Sequence, residues 1–240
     1  MLPDDFNFEQ IAAIAFLFIA WFAYSFVLKI VSRGSLNEQL STVRARWLAT
    51  SLSRAQKPFD AILLGHIVNS IAFFGSATLI VLAGLVTLFA NARSVHEIAV
   101  DLSLTTPPSF ELFVTHVAVL TVTLASSFFS FTYALRKLIY TLALIGALPE
   151  TVENEEEEKR RRLMVDDAAL VLSEALKTFN FGIRGYYYSV AAIGLFVSPY
   201  LCIILTVFMT TMLIFRQVGT PTAKAIRRYV DTSKEERDTS

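Results

Sequence analysis

Cysteine occurs once, at Cys202 inside a hydrophobic run, so the chain can build neither a disulfide framework nor a multi-thiolate metal site. Histidine occurs three times, and charged residues make up only 18% of the 240 positions. Charge is missing altogether from residues 10–28, 61–92, 112–135 and 185–215. The lack of any Asp or Glu in these stretches excludes a proton-relay carboxylate or a carboxylate-held ion within them. No phosphate-cradling glycine loop, nucleophile elbow, Cys/His metal spacing or paired-His metalloprotease signature occurs. These absences argue against an enzyme and supply no catalytic, cofactor-binding or metal-ligating residue. Nothing in the chain has the basic character of a nucleic-acid binder, since its net charge is zero.

What is there is apolar, at 54% of residues. As a single helix, 61–92 would be about 48 Å long against a hydrocarbon core of roughly 30 Å. The other three runs also reach the roughly 18 residues that suggest a spanning helix. The sequence therefore predicts an all-α, polytopic integral membrane protein, a four-helix transmembrane bundle in one domain over 1–217, with spans at about 10–30, 62–91, 112–135 and 186–215. Residues 218–240 read as a charged, disordered tail. The first run is no cleaved signal peptide, because Asp4, Asp5 and Glu9 stand where a basic leader belongs.

Orientation follows the placement of Lys and Arg. The loop 29–60 carries Lys29, Arg33, Arg44, Arg46, Arg54 and Lys57, and 136–184 is also basic, whereas the loop after the second run has only Arg93. Both basic loops belong in the cytoplasm of a plasma or inner membrane, with the N-terminus outside. The tail, with Arg216, Lys224, Arg227, Arg228, Lys234 and Arg237, objects to four crossings. The break at Ser198-Pro199 offers a re-entrant hairpin as the alternative, and a single crossing is the expectation kept here.

Two cytoplasmic amphipathic helices are expected, at about 36–57 and 160–180. Ser35 and Glu38 form a capping box, and Leu36, Leu40, Val43 and Trp47 line one face. That helix either lies in the headgroup region or packs on the protein's own end. In the second, Met164, Ala168, Val171, Ala175 and Phe179 share a face. Residues 138–149 either prolong the third helix or lie at the interface. The glutamate-rich 150–162 reads as solvated or disordered rather than as a docking element. Thr220-Pro221 has the form of an N-cap and first helical residue.

Two groups stand out as candidate sites. Topology gathers Arg44, Asp60, Arg136, Asn180, Arg184, Tyr186 and Tyr187 at the cytoplasmic end, where Asp60 should pair with Arg136 or Arg184 and the surplus cations could hold an anionic lipid or an acidic partner. The plainer alternative is ordinary interface charge. A polar stripe of His66, Asn69, Ser70, Ser76, Gly84, Ser126 and Ser130 suits close helix packing or, less well, a pore. His66 and His116 fall about 15 Å apart in depth, too far to share a ligand.

The segments RARW at 44–47, SIAFFGS at 70–76, FFSFTYALR at 128–136 and FNFGIRGYYY at 179–188 resemble a membrane family catalogued as domain of unknown function 599. The resemblance covers about 11–217 and implies a four-span membrane protein, with no cofactor, catalytic residue or ligand to transfer. The reading that emerges is a non-enzymatic accessory or scaffold protein whose basic face binds anionic lipid, a protein partner or a second copy. The alternative is a small transporter or channel subunit using the polar faces of spans two and three, and a lipid-acting membrane enzyme stands third. In intact cells, single cysteines introduced near Arg44 and Glu155 should escape an impermeant thiol reagent, and one near His96 should label. Labelling at the first two would invert the topology.

Overall fold

The computed structural model describes residues 7–32, 35–51, 57–102 and 108–238, without the side chains of 57, 58, 102 and 234–238. Asp4, Asp5, Arg33 and Arg54 lie outside the described residues, as do the side chains of Lys57, Lys234 and Arg237. Among the described residues the chain is helical throughout: α1 (Phe8–Val31), α2 (Leu36–Ser51), α3 (Lys57–Ala90), α4 (Ala92–Leu102), α5 (Phe110–Gly146), α6 (Glu155–Ile193), a 3-10 turn (Gly194–Phe196), α7 (Pro199–Val218) and α8 (Pro221–Asp238). Four helical stretches, Phe8–Val31, Phe59–Ala90, Phe110–Gly146 and Pro199–Ser233, are long and apolar enough to cross a membrane. Within an 18-residue apolar window of each, only 17% to 39% is buried in the protein, so most of the side chains there remain for lipid.

The helices start and stop where local chemistry allows. The Ser35 hydroxyl accepts from the Glu38 N–H at 3.2 Å while the Glu38 carboxylate accepts from the Ser35 N–H at 2.8 Å, the expected capping box at the head of α2. Thr220 caps α8 by accepting from the Ala223 N–H at 3.2 Å, with Pro221 as first helical residue. Residues 138–146 prolong α5.

Three expectations change. The glutamate-rich stretch is ordered from Glu155 as the first turns of α6. Glu155, Glu156, Glu157 and Glu158 each stand four residues before a Lys or Arg, the orientation that stabilises a helix, and they place negative charge at its N-terminus. Glu158 meets Arg161 at 2.6 Å and Arg162 at 3.0 Å, and its hydrogen bond from Arg162 holds its carboxyl below the usual range. The tail is likewise helical, as α8, and the loop after α3 contains the amphipathic α4. The face of α6 that is buried runs through Val165, Ala168, Ala169, Leu172 and Ala175; Met164, placed on that face by periodicity, is exposed.

The described residues fall into two compact units, each taken by itself. Unit 1 is Met1–Val27, Gly75–Phe129 and Phe181–Ile214; unit 2 is Leu28–Phe74, Ser130–Asn180 and Phe215–Ser240.

In unit 1 the residue pairs reveal the directions of the helices. Tyr188 donates to the Ala20 carbonyl and Arg184 to Ser25, so α1 runs antiparallel to the end of α6. Gly185 lies against Ser127 and the His116 ring against Phe196, so α5 is antiparallel to it too. Gly194 faces Cys202 and Tyr188 meets Thr210, so α7 folds straight back along α6. The fourth hydrophobic run is therefore folded at 194–198 into two antiparallel helical segments, of which the second, α7, begins the fourth span-length stretch. The physical reason is the break at 194–198, where Gly194 lets α7 approach to contact distance and Ser198 caps the new helix through the Leu201 N–H. Since α1 and α7 both oppose α6, they share a direction.

In unit 2, α2 packs against α8. The Leu36 N–H donates to Gln217 at 3.1 Å, and Arg227 donates to Ser32 at 3.1 Å. Of the two placements left open for α2, packing on the protein itself is the one found.

Trp21, fully buried, sits on Gly185, and a methyl added there would overlap the Ser127 hydroxyl and press the indole. Gly185→Ala should cost about 1–3 kcal/mol as overpacking, read as a lower melting temperature in detergent, and Ser127→Ala should recover part of the loss. An additive double mutant would refute that contact.

Candidate functional site

The residues expected to gather at one end have separate partners. Arg44, half-buried on α2, donates to the Asn37 side chain at 2.9 Å and to Ser173 of α6 at 3.2 Å; burial pushes its guanidinium down to about 10, still charged at neutral pH. Asp60 does not pair with either expected arginine. Arg136 donates to the Tyr140 hydroxyl one turn on, and Arg184, in unit 1, donates to Ser25. Asp60 instead accepts from the indole N–H of Trp47 at 2.6 Å, a short charge-assisted bond inside unit 2. A tryptophan on α2 could reach it because α2 folds back on the start of α3. Tyr186 bonds Thr78, Asn180 is exposed and Tyr187 is partly buried.

The polar stripe does not pack inside the protein as expected. His66, Asn69, Ser70, Ser76 and Gly84 are exposed, and the space beside Gly84 is open. The buried face of α3 is Leu64, Ile71, Gly75, Thr78 and Leu85, turned away from that stripe. Ser126 and Ser130 are half-buried on α5, Ser126 bonded to the carbonyl four residues back. Small size alone does not choose a packing face when larger apolar residues one position away can interlock.

Trp47 has a second role. It lines a recess of about 570 Å³ between α2 and α8, with Val43, Arg46, Thr50, Tyr229, Thr232 and Ser233. It also lines an apolar groove of about 630 Å³ formed with Phe59, Leu63, His66, Ile67, Ser70, Ile71, Leu176 and Phe179. Both volumes are of the size that holds small ligands. The recess brings one guanidinium and four hydroxyls together; the groove offers hydrocarbon, with the His66 imidazole and Ser70 on its wall. The sequence does not show the recess, because after the helix start at Thr220-Pro221 it signals only a charged, disordered end.

Among the described residues no three His, Cys, Asp or Glu side chains stand close enough to hold a metal. His116 bonds Gln10 at 3.2 Å and His96 the Pro108 carbonyl at 2.9 Å, both in unit 1.

The profile of a family described as "Protein of unknown function, DUF599" matches residues 12–222. The chain belongs to this family. The DUF599 match takes in α2, α3 and α6, the walls of the Trp47 groove, but ends at the start of α8, so Tyr229, Thr232 and Ser233 lie beyond it. No curated protein and no solved structure matches the chain.

Trp47→Phe and Asp60→Ala should each lower the melting temperature in detergent. Combined, they should cost about 1–3 kcal/mol less than the sum, because the bond the two residues share can be lost only once. Simple additivity would show that the indole and carboxylate do not act as a pair.

Proposed function

We propose that the protein is a polytopic membrane protein without catalysis of its own, an accessory or scaffold that holds one anionic phospholipid at Trp47. The observation that carries the reading is that one indole lines both a cationic, hydroxyl-lined recess and a hydrocarbon groove. A phospholipid has the two matching parts. The groove runs along Phe59–Ile71, within the span-length stretch of α3, and the recess is walled by α2 and α8, outside any charge-free run. Chain in hydrocarbon and phosphate near Arg46 is thus the pose that costs least desolvation. The Asp60 carboxylate, tied to the indole, holds it in place and disfavours a second anion beside it.

The proposal includes an orientation. The N-terminus is outside, and α2, the first half of α6 and α8 are cytoplasmic. With the end of α6 as a further pass, the passes are odd in number, which brings the basic tail to the side of the basic loops. A cysteine near Lys234 should then be protected from an impermeant reagent in intact cells.

A transporter draws support from the hydroxyls of unit 1, the buried Thr123, Ser127 and Thr206 and the half-buried Thr210. Each donates to the carbonyl four residues back in its own helix, which leaves little of it to coordinate a passing solute.

In nanodiscs, phosphatidylglycerol with brominated chains should quench Trp47 fluorescence at about fivefold lower mole fraction than its phosphatidylcholine counterpart, the preference expected from one basic residue. Trp21→Phe makes Trp47 the sole reporter, since the chain has two tryptophans. Arg46→Gln should remove the preference and leave the quenching. Equal quenching by both lipids in the parent protein would sink the anionic reading.

A further inference from the structure

Arg184 is a cation of unit 1 that has no carboxylate as partner among the described residues. Its guanidinium is held over the Tyr24 ring at 4.7 Å and the Phe181 ring at 5.3 Å, and Nη1 donates to the Ser25 hydroxyl at 2.8 Å. Nε is buried without a partner, and among the described residues no carboxylate pairs with the side chain. An arginine that merely reached for water would not need to be clamped between two rings with Nε shut away. Fixed this way, the guanidinium holds Nη1 on Ser25. The Ser25 oxygen accepts from Nη1, so its own proton is available to donate to an anion beside the pair.

The surroundings say what approaches. Ser25 is exposed, and on the same helix Phe22 and Phe26 are 62% and 68% exposed, so the opening is toward lipid. Ser25 stands three residues, about 5 Å, before the end of the charge-free run at Leu28, the depth at which phosphates replace hydrocarbon.

The geometry points to a second anion seat, in which Arg184 and Ser25 bind a phosphoryl oxyanion, with Tyr24 and Phe181 holding the guanidinium in position. It shares no residue with the Trp47 site and does not rest on that reading. At the depth of Ser25 the phosphate of a membrane phospholipid is the favoured source; free inorganic phosphate has the same chemistry, and the test separates them.

Full-length protein is reconstituted in mixed phosphatidylglycerol and phosphatidylcholine, extracted in mild detergent, and the retained phosphatidylglycerol is measured across lipid fractions by native mass spectrometry. Ser25→Ala, which changes an exposed hydroxyl and threatens no core, and Arg184→Lys, which keeps the charge but loses the fork, should each weaken retention of one lipid. Arg184→Gln should weaken it about tenfold or more. Arg46→Gln should leave this lipid in place, so loss at one site and not the other distinguishes the two. In parallel, delipidated protein is titrated with inorganic phosphate and its melting temperature followed. A rise abolished by Arg184→Gln, with lipid retention unaffected by the variants, would support the seat with a soluble anion as occupant. Retention and melting both unchanged in Ser25→Ala and Arg184→Gln would overturn it.

Discussion

A hydroxyl surrounded by hydrocarbon has to find its partner inside the protein, and that constraint shapes unit 1 throughout. Thr78 meets Tyr186, Tyr188 reaches both the Ala20 carbonyl and Thr210, and the buried Thr and Ser side chains turn back onto their own helices. Each of the three tyrosine bonds joins two helices, so the tyrosines at 186 and 188 fix rotation and depth where apolar contacts alone would allow sliding. The Gly185 approach then follows. With α6 held in register, a residue without a side chain is needed where Trp21 and Ser127 meet it.

Most of the architecture was legible because hydrophobic length is a strong signal: three charge-free runs became single helices long enough to span, and the fourth supplied α7, the start of a fourth such stretch. Caps were equally plain, Ser35 with Glu38 and Thr220 with Pro221 both standing as the residue types dictate. Illegible were the features that depend on a competition. The glutamate run reads as disorder by composition, yet its four-residue offset from Lys and Arg supports a helix that composition cannot register. Ser198-Pro199 signalled a break, but whether the two halves crossed once or folded back depended on Gly194 admitting the Cys202 backbone, a packing fact.

The sites follow the same division. Charge and topology suggested Arg136 or Arg184 as the partner of Asp60. Electrostatic reasoning from topology ranks charges by proximity of helix ends. The folded chain answered instead with an indole for Asp60, a serine and two rings for Arg184 and an amide for Arg44. Neutral donors and aromatic faces solvate a charge at an interface without requiring a second charge to be dehydrated. The sequence signal that could have found the first of these is modest: Trp47 is the one large aromatic on α2, aligned with the helix face that also carries Val43.

Because α1 and α7 point the same way, the chain enters unit 1 at one end and leaves it at the other. A second chain packed beside the first in the same orientation would set like ends of unit 1 level with one another, whereas one packed the other way up would place the entry of one copy beside the exit of the other.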